Sequence, residues 1–236
     1  MLLFLIPKIV RAHFCRYPAL PSILKTLKTL MFTFIDNPEK IMAIKVFGPA
    51  SSICVQRVLL TLREKQLEYE LIPVEMTKGE HKSPQYLEHQ PFGVVPYLID
   101  EDGFEIFESR AICAYLEIKY KNKGTKLIPS CDAKKMGTYE MGVSIEGGYF
   151  DGPASTIVFE RLFKGILGYG PADETKVKAA ADKLAGSLDV YEKILSKQEF
   201  IGGSEFSLAD VFHLPYLSLF FAPQVEHSHL VWKDFL

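Results

Sequence analysis

The chain has 236 residues, 48% hydrophobic and 24% charged, with a formal net charge of −2. That length suits one large domain or two small ones, and the composition is that of an ordinary globular protein. A slightly acidic chain offers no basic face for a phosphate backbone, so nucleic acid is excluded as the expected partner.

The first 41 residues stand apart. Up to Ile35 they carry Lys8, Arg11, Arg16, Lys25 and Lys28 and no acid, the composition of a mitochondrial transit peptide. The apolar run "MLLFLIP" is broken by Pro7, too early for a membrane span, and Pro18 and Pro21 interrupt any long amphipathic helix. Residues 1–41 therefore read as an extension, either targeting or non-native, ahead of a start at Met42.

From Ala43 the pattern becomes regular. "AIKVF" reads as a strand ending at Gly48 and Pro49. The following "SICVQRVLLTLREK" is a helix whose inner face is Val55, Val58, Leu59 and Leu62. "LEYELIPVEM" alternates as a second strand, and "TKGEHKSPQYLEHQPFG" is a polar loop with at most a short helix. "VVPYLIDEDGFEIFES" predicts an antiparallel hairpin about "DEDG". "SRAICAYLEIKYK" is helical again, with Ile112, Tyr115, Leu116 and Ile118 expected inside. This βαβ unit, hairpin and helix predict a mixed sheet covered by helices.

Beyond "KNKGTKLIPSCD" no strand pattern recurs. Lys134 to Tyr149, Ser155 to Gly168 and Asp173 to Ser196 read as helices separated by "FDGP" and "GYGPAD". A fourth, "SLADVFHLPYLSLFF", opens on Ser207 and Asp210 at capping-box spacing. The boundary between the α/β and all-helical parts falls near Lys121 to Ile128. Cys15, Cys54, Cys113 and Cys131 form no CxxC pair and lie far from zinc-site histidine spacing, so free thiols in a reducing compartment and no metal are expected. His227 and His229 read as surface residues.

Four motifs, "KVFGPASS", "GEHKSPQYLEHQPFGVVPYL", "FESRAICAYL" and "FSLADVFHLP", occur in the order and spacing of the cytosolic glutathione transferases. The chain most resembles the phi class of plants and its fungal relatives, from about Met42 onward. The resemblance implies a thioredoxin-like, glutathione-binding domain over 42–123 and an all-helical domain over 129–236. It also implies a further terminal helix after "WKDFL", so the chain reads as ending early. Glutathione is then the co-substrate, with no other cofactor, and hydrophobic electrophiles are the second substrate. A cytoplasmic homodimer with no membrane span is implied, the mitochondrion being the alternative that the basic extension raises.

Site residues carry over one by one. In the family the Val-Pro bond is cis, and the main chain of the valine pairs with the cysteinyl unit of glutathione, which assigns Val95 and Pro96. Glu108 and Ser109 would hold the γ-glutamyl ammonium and carboxylate at a helix start. His81 and Lys82 would reach the glycyl carboxylate. Val94 stands where the family usually has Lys or Gln, so only its main chain is carried over. Alignment on "QRV" assigns Ser52 as the residue that stabilises the thiolate, with Ile53 beside it. Ser51 is then a neighbour or helix cap, and Cys54 is packed against the sheet. Two alternatives are a Cys54-dependent thiol transferase resembling dehydroascorbate reductases, and a non-catalytic protein binding glutathione or hydrophobic ligands. Phe150, Phe159 and Phe163 are candidates to line a hydrophobic site.

Overall fold

The computed structural model describes residues 43–129 and 132–221. The basic extension, Cys15, Cys131, His227, His229 and the "WKDFL" end lie outside the described residues.

Strand β1 (Ile44–Phe47) leads into helix α1 (Ile53–Glu64) and back to β2 (Tyr69–Ile72), which runs parallel to β1. Two 3₁₀ turns, Met76–Lys78 and Glu80–Lys82, and helix α2 (Pro84–His89) precede the hairpin of β3 (Tyr97–Ile99) and β4 (Glu105–Phe107). Helix α3 (Ser109–Lys119) closes the unit. The sheet order is β2-β1-β3-β4 with β3 antiparallel to β1, the mixed sheet the sequence predicts.

Alternation along the strands separates two cores. Ile44, Val46 and Leu98 are fully buried with Val55, Val58, Leu62, Ile112 and Leu116 from α1 and α3. On the opposite face Val74, Tyr86 and Tyr97 gather Phe47, Ile99 and Phe107, and Phe47 stacks on Tyr97 with centroids 4.2 Å apart. The inner face of α1 is as expected. That of α3 is shifted: Ile118 is 68% exposed, whereas Cys113 and Glu117 are buried. Positions 109, 112, 113, 116 and 117 follow the helical repeat more faithfully than the apolar residues alone, and Glu117 tolerates burial because Lys65 lies 2.6 Å away.

Asp100 ties the hairpin to α3. Its carboxylate accepts from the Tyr115 hydroxyl at 2.5 Å, the Tyr120 hydroxyl at 2.7 Å and Lys119 Nζ at 2.6 Å. Burial pushes its pKa up, but these donors outweigh burial and hold it below the usual carboxylate range. A depressed folded pKa contributes stability above the unfolded value of about 3.9 and loses it as pH falls through the folded value. Asp100→Asn is therefore expected to destabilise the fold by about 1.5–3 kcal/mol at neutral pH. In urea melts the two proteins should converge as the pH drops below about 4.

The helical part corrects the sequence reading in two places. No break occurs at "FDGP": helix α4 (Ala133–Ile145), a π turn (Glu146–Phe150), α5 (Asp151–Val158), a second π turn (Phe159–Phe163) and α6 (Lys164–Ile166) follow without interruption. Pro153 is accommodated in the first turn of α5, and the Tyr149 carbonyl that its missing N–H would have served accepts the Ser187 hydroxyl at 3.1 Å. Ser187 belongs to α7 (Glu174–Leu195), the long helix expected after "GYGPAD". The last predicted helix is two pieces, α8 (Leu208–Val211) and α9 (Leu214–Phe221), parted where Pro215 has no N–H for the Val211 carbonyl.

Among the described residues no helix is long and apolar enough to cross a membrane. No group of three His, Cys, Asp or Glu is gathered there to hold a metal.

Candidate functional site

The sheet register brings the sequence-predicted site residues to one edge. Phe47 pairs with Ile72 and Tyr97, and Tyr97 with Phe107, so Ile72, Phe47, Tyr97 and Phe107 form one row across all four strands. Just beyond that row lie the turn into α1 with Ser51 to Cys54, the Val95–Pro96 bond before β3, and Glu108–Ser109 after β4. The chain leaving Ile72 reaches His81 and Lys82 through the 3₁₀ turns.

Two glycines allow these segments to meet. A Cβ on Gly48 would lie 2.5 Å from Val55 Cγ2 and 3.3 Å from Val95 Cβ, so the start of α1 and the Val95 loop close over bare backbone. At Gly93, with φ +59°, a Cβ would lie 2.8 Å from Lys82 Cδ and 2.9 Å from the His81 carbonyl. That approach joins the Val95 loop to the 3₁₀ turn.

Ser52 is the N-cap of α1: its backbone is extended, and its Oγ accepts from the Val55 N–H at a long 3.5 Å. Ser51, read from sequence as neighbour or cap, is exposed and does not cap the helix. The N–H groups of Ile53 and Cys54 have no protein partner among the described residues, so the positive end of α1 is open beside the Ser52 hydroxyl. Cys54 is only partly buried rather than packed inside, and its Sγ lies 3.7 Å from Arg57 Nη1. The helical period turns it toward Arg57 and away from the buried stripe of Val55, Val58 and Leu62.

The Val95–Pro96 peptide is cis. Among the described residues neither the N–H nor the C=O of Val95 takes a protein partner, leaving a short main-chain edge free for an extended ligand. The Val94 carbonyl is instead occupied by the Tyr86 hydroxyl at 2.8 Å, and the Val94 side chain is 45% exposed.

Glu108 is the N-cap residue of α3 with φ +71°, a left-handed backbone unusual outside glycine. Its side chain makes no cap and is exposed, while Ser109 is buried at the first helical position. The N–H groups of Ser109, Arg110 and Ala111 have no protein acceptor among the described residues, the usual chemistry of an anion site at a helix start. At the other end Lys82 Nζ is exposed and donates to the Phe92 carbonyl at 3.2 Å. Burial and then the adjacent Lys82 lower the His81 pKa, so its imidazole is neutral at neutral pH. His81 Nδ1 is buried without a partner.

Phe150 does not line a cleft: it is 1% exposed and packs on His213, Tyr191 and Tyr216. Phe159 is 38% exposed and Phe163 partly buried. A cleft between Lys126, Lys134, Thr138 and the 202–207 loop includes none of the predicted site residues.

Sequence reasoning missed Arg57. Its guanidinium is 1% exposed and donates to the Phe212 carbonyl at 3.1 Å, Glu146 Oε1 at 3.1 Å and Asp151 Oδ1 at 2.5 Å. Burial opposes its charge, but Glu146, Cys54 and Asp151 more than offset this and raise its pKa. The signal available in sequence was an arginine beside the apolar stripe of α1, which demands a buried partner.

A four-stranded mixed sheet with a cis-proline loop at the mouth of its first helix, followed by a helical half, defines a thioredoxin-like domain fused to an all-helical one. The glutathione S-transferase N-terminal domain model matches residues 42–117 and the C-terminal domain model matches 153–230. A glutathione S-transferase of Arabidopsis thaliana, PM239X14, is 47% identical over 175 residues, covering 73% of this chain and 79% of its own. Glutathione S-transferase hmp2 of Hypomyces subiculosus is 47% identical over 178 residues, 75% of this chain and 82% of its own. Crystallised glutathione transferase F7 from Populus trichocarpa superposes with a TM-score of 0.72 at 35% identity, covering 82% of this chain and 93% of that one. Glutathione S-transferase I from maize, solved with an atrazine glutathione conjugate, superposes with a TM-score of 0.69 at 32% identity, covering 82% and 92%. The chain belongs to the glutathione S-transferase family, and its relatives are the plant F, or phi, class together with a fungal member.

Proposed function

We propose that this chain conjugates the thiolate of reduced glutathione to hydrophobic electrophiles, with reduction of organic hydroperoxides as a side activity. The observation that carries the reading is the single row of openings beyond the sheet: Ser52 with the free start of α1, the unpaired Val95 main chain, and the free start of α3 at Ser109. Their order along the sheet edge suits the three parts of one tripeptide. Its γ-glutamyl group lies at Glu108 and Ser109, its cysteinyl backbone on Val95 beside Pro96, and its glycyl carboxylate toward Lys82, with His81 alongside. The thiol then falls at Ser52 and Ile53. There the hydroxyl and the helix end favour the anion, which attacks the electrophilic carbon as the leaving group departs.

The glutathione-binding domain spans 42–123 and the helical domain 129–236. A cytoplasmic homodimer completes the reading. Free Cys54 and Cys113 suit a reducing compartment. Phe92, 70% exposed and edge-on to Phe107, is an apolar residue for a second copy to cover.

The test is turnover of an aryl halide by the purified protein, with retention on glutathione resin measured beside it. Binding without turnover, on any aryl halide or isothiocyanate, would overturn the enzymatic reading. A directed variant probes the glycyl end. Val94 can donate no hydrogen bond from its side chain, whereas a charged bond there is worth about 1.5–3 kcal/mol. Val94→Lys, on an exposed side chain, is therefore expected to lower the glutathione Kd by about tenfold in isothermal titration.

A further inference from the structure

The two carboxylates that grip Arg57 are five residues apart. In an α-helix, at 3.6 residues per turn, positions i and i+5 point about 140° apart, so Glu146 and Asp151 could not reach one target. The π turn changes this. The Asp151 N–H donates to the Glu146 carbonyl five residues back, and the wider turn swings both side chains onto one side of the helix. Arg57 of α1 meets Glu146 Oε1 and Asp151 Oδ1 there. Arg110 of α3 meets the other oxygen of Glu146 at 2.7 Å and the same Asp151 Oδ1 at 3.0 Å. Both arginines also lie over aromatic rings of the helical half, Arg57 at 5.5 Å from the Tyr216 centroid and Arg110 at 5.7 Å from that of Phe212.

These arginines are not scattered. Arg57 lies five residues after Ser52, on the helix whose start faces the thiol. Arg110 directly follows Ser109, on the helix whose start faces the γ-glutamyl group. One π turn therefore holds both helices by the same two carboxylates.

We propose that the π turn at Glu146–Phe150 is a positioning device that fixes the starts of α1 and α3 relative to each other, so that both ends of the γ-glutamyl-cysteinyl unit are met at once. The inference rests on the glutathione site proposed above. Glu146 and Asp151 act through the arginines and are positioning residues. Loosening their grip weakens the glutathione side of the site and spares the electrophile side.

The experiment compares wild type with Asp151→Ala, Asp151→Asn and Arg110→Gln. Asp151 and Arg110 are partly exposed, so these variants disturb the interior less than changes at Arg57 or Glu146. Titration with S-hexylglutathione measures binding without turnover, and kinetics with an aryl halide separates the two KM values. Asp151→Ala and Arg110→Gln are each expected to raise the S-hexylglutathione Kd and the glutathione KM by about tenfold, with the aryl halide KM within about twofold of wild type. Asp151→Asn keeps an acceptor for both guanidinium groups and should recover most of the affinity. Unchanged Kd in both disrupting variants, or equal loss on both substrates, overturns the proposal while leaving the conjugating reading intact. A wild-type protein that binds S-hexylglutathione without turning over sinks the conjugating reading, and the Kd comparison still decides the π turn. A wild type that binds no S-hexylglutathione sinks both.

Discussion

Ser52→Ala will lower glutathione conjugation at least about tenfold while the glutathione Kd stays near wild type. The thiolate is the nucleophile and a free thiol has a pKa of about 8.5. Lowering that by two units requires about 2.7 kcal/mol of preference for the anion. A hydroxyl donating to sulfur, with the unpaired N–H groups of Ile53 and Cys54 behind it, is a source of that size. The variant removes the hydroxyl and leaves the Val95 edge, Ser109 and Lys82 in place, so the loss falls on kcat and on the thiol pKa read from its ultraviolet absorbance. Because Ser52 also caps α1, stability drops by about 1 kcal/mol. Ser51→Ala, on an exposed residue, stays within about twofold. If Cys54→Ala instead abolished turnover, the thiol-transferase chemistry would replace the one argued here.

Asp210→Ala will be the most damaging change to the fold. The carboxylate of Asp210 is fully buried, and it accepts from the Ile201 N–H at 3.0 Å, the Ser207 N–H at 2.9 Å and the Ser207 hydroxyl at 2.9 Å. Ile201 and Ser207 are themselves buried, so water cannot replace the lost acceptor. Each of the three orphaned donors costs about 1–3 kcal/mol, and the total of roughly 3–9 kcal/mol is comparable with a typical domain stability of about 5–15 kcal/mol. The expected result is a chain that collects in inclusion bodies, or one whose urea midpoint falls by a third or more. A variant as stable as wild type would mean that the loop from Ile201 to Ser207 finds other acceptors.

The thioredoxin-like half was legible because its signals are local and agree with one another. Alternation in "IKVF" and "YELI", the apolar face of α1 and the turn at "DEDG" each dictate a short element, and right-handed crossover limits how they join. The capping box was legible for the same reason, since Ser207 and Asp210 carry their own geometry. Less was legible where the decisive partner lies far along the chain. Proline and glycine in "FDGP" read as a break, because nothing near them reveals that Ser187 takes up the carbonyl Pro153 leaves open. Arg57 went unnoticed, because its carboxylates lie 89 and 94 residues away. Ile118 was assigned inside on hydrophobicity, whereas the buried face of α3 uses Glu117, matched by Lys65 at the C-cap of α1. Within the candidate site, residue identities came from motif resemblance. The openness of the α1 start, Val95 and the α3 start came only from tracing where each backbone bond goes.

The shared carboxylate of Glu146 bears on modularity. With the boundary read near residues 121–128, joining this α/β half to the helical half of a distant relative is, by sequence alone, a simple graft at the linker. Yet Arg57 carries a fixed positive charge into the seam, and an incoming helix without acids in register with Glu146 and Asp151 would bury that charge unpaired. Breaking such a pair costs about 3–5 kcal/mol. The two halves are therefore not interchangeable parts, and a working chimera must transplant the seam, arginines and π turn together.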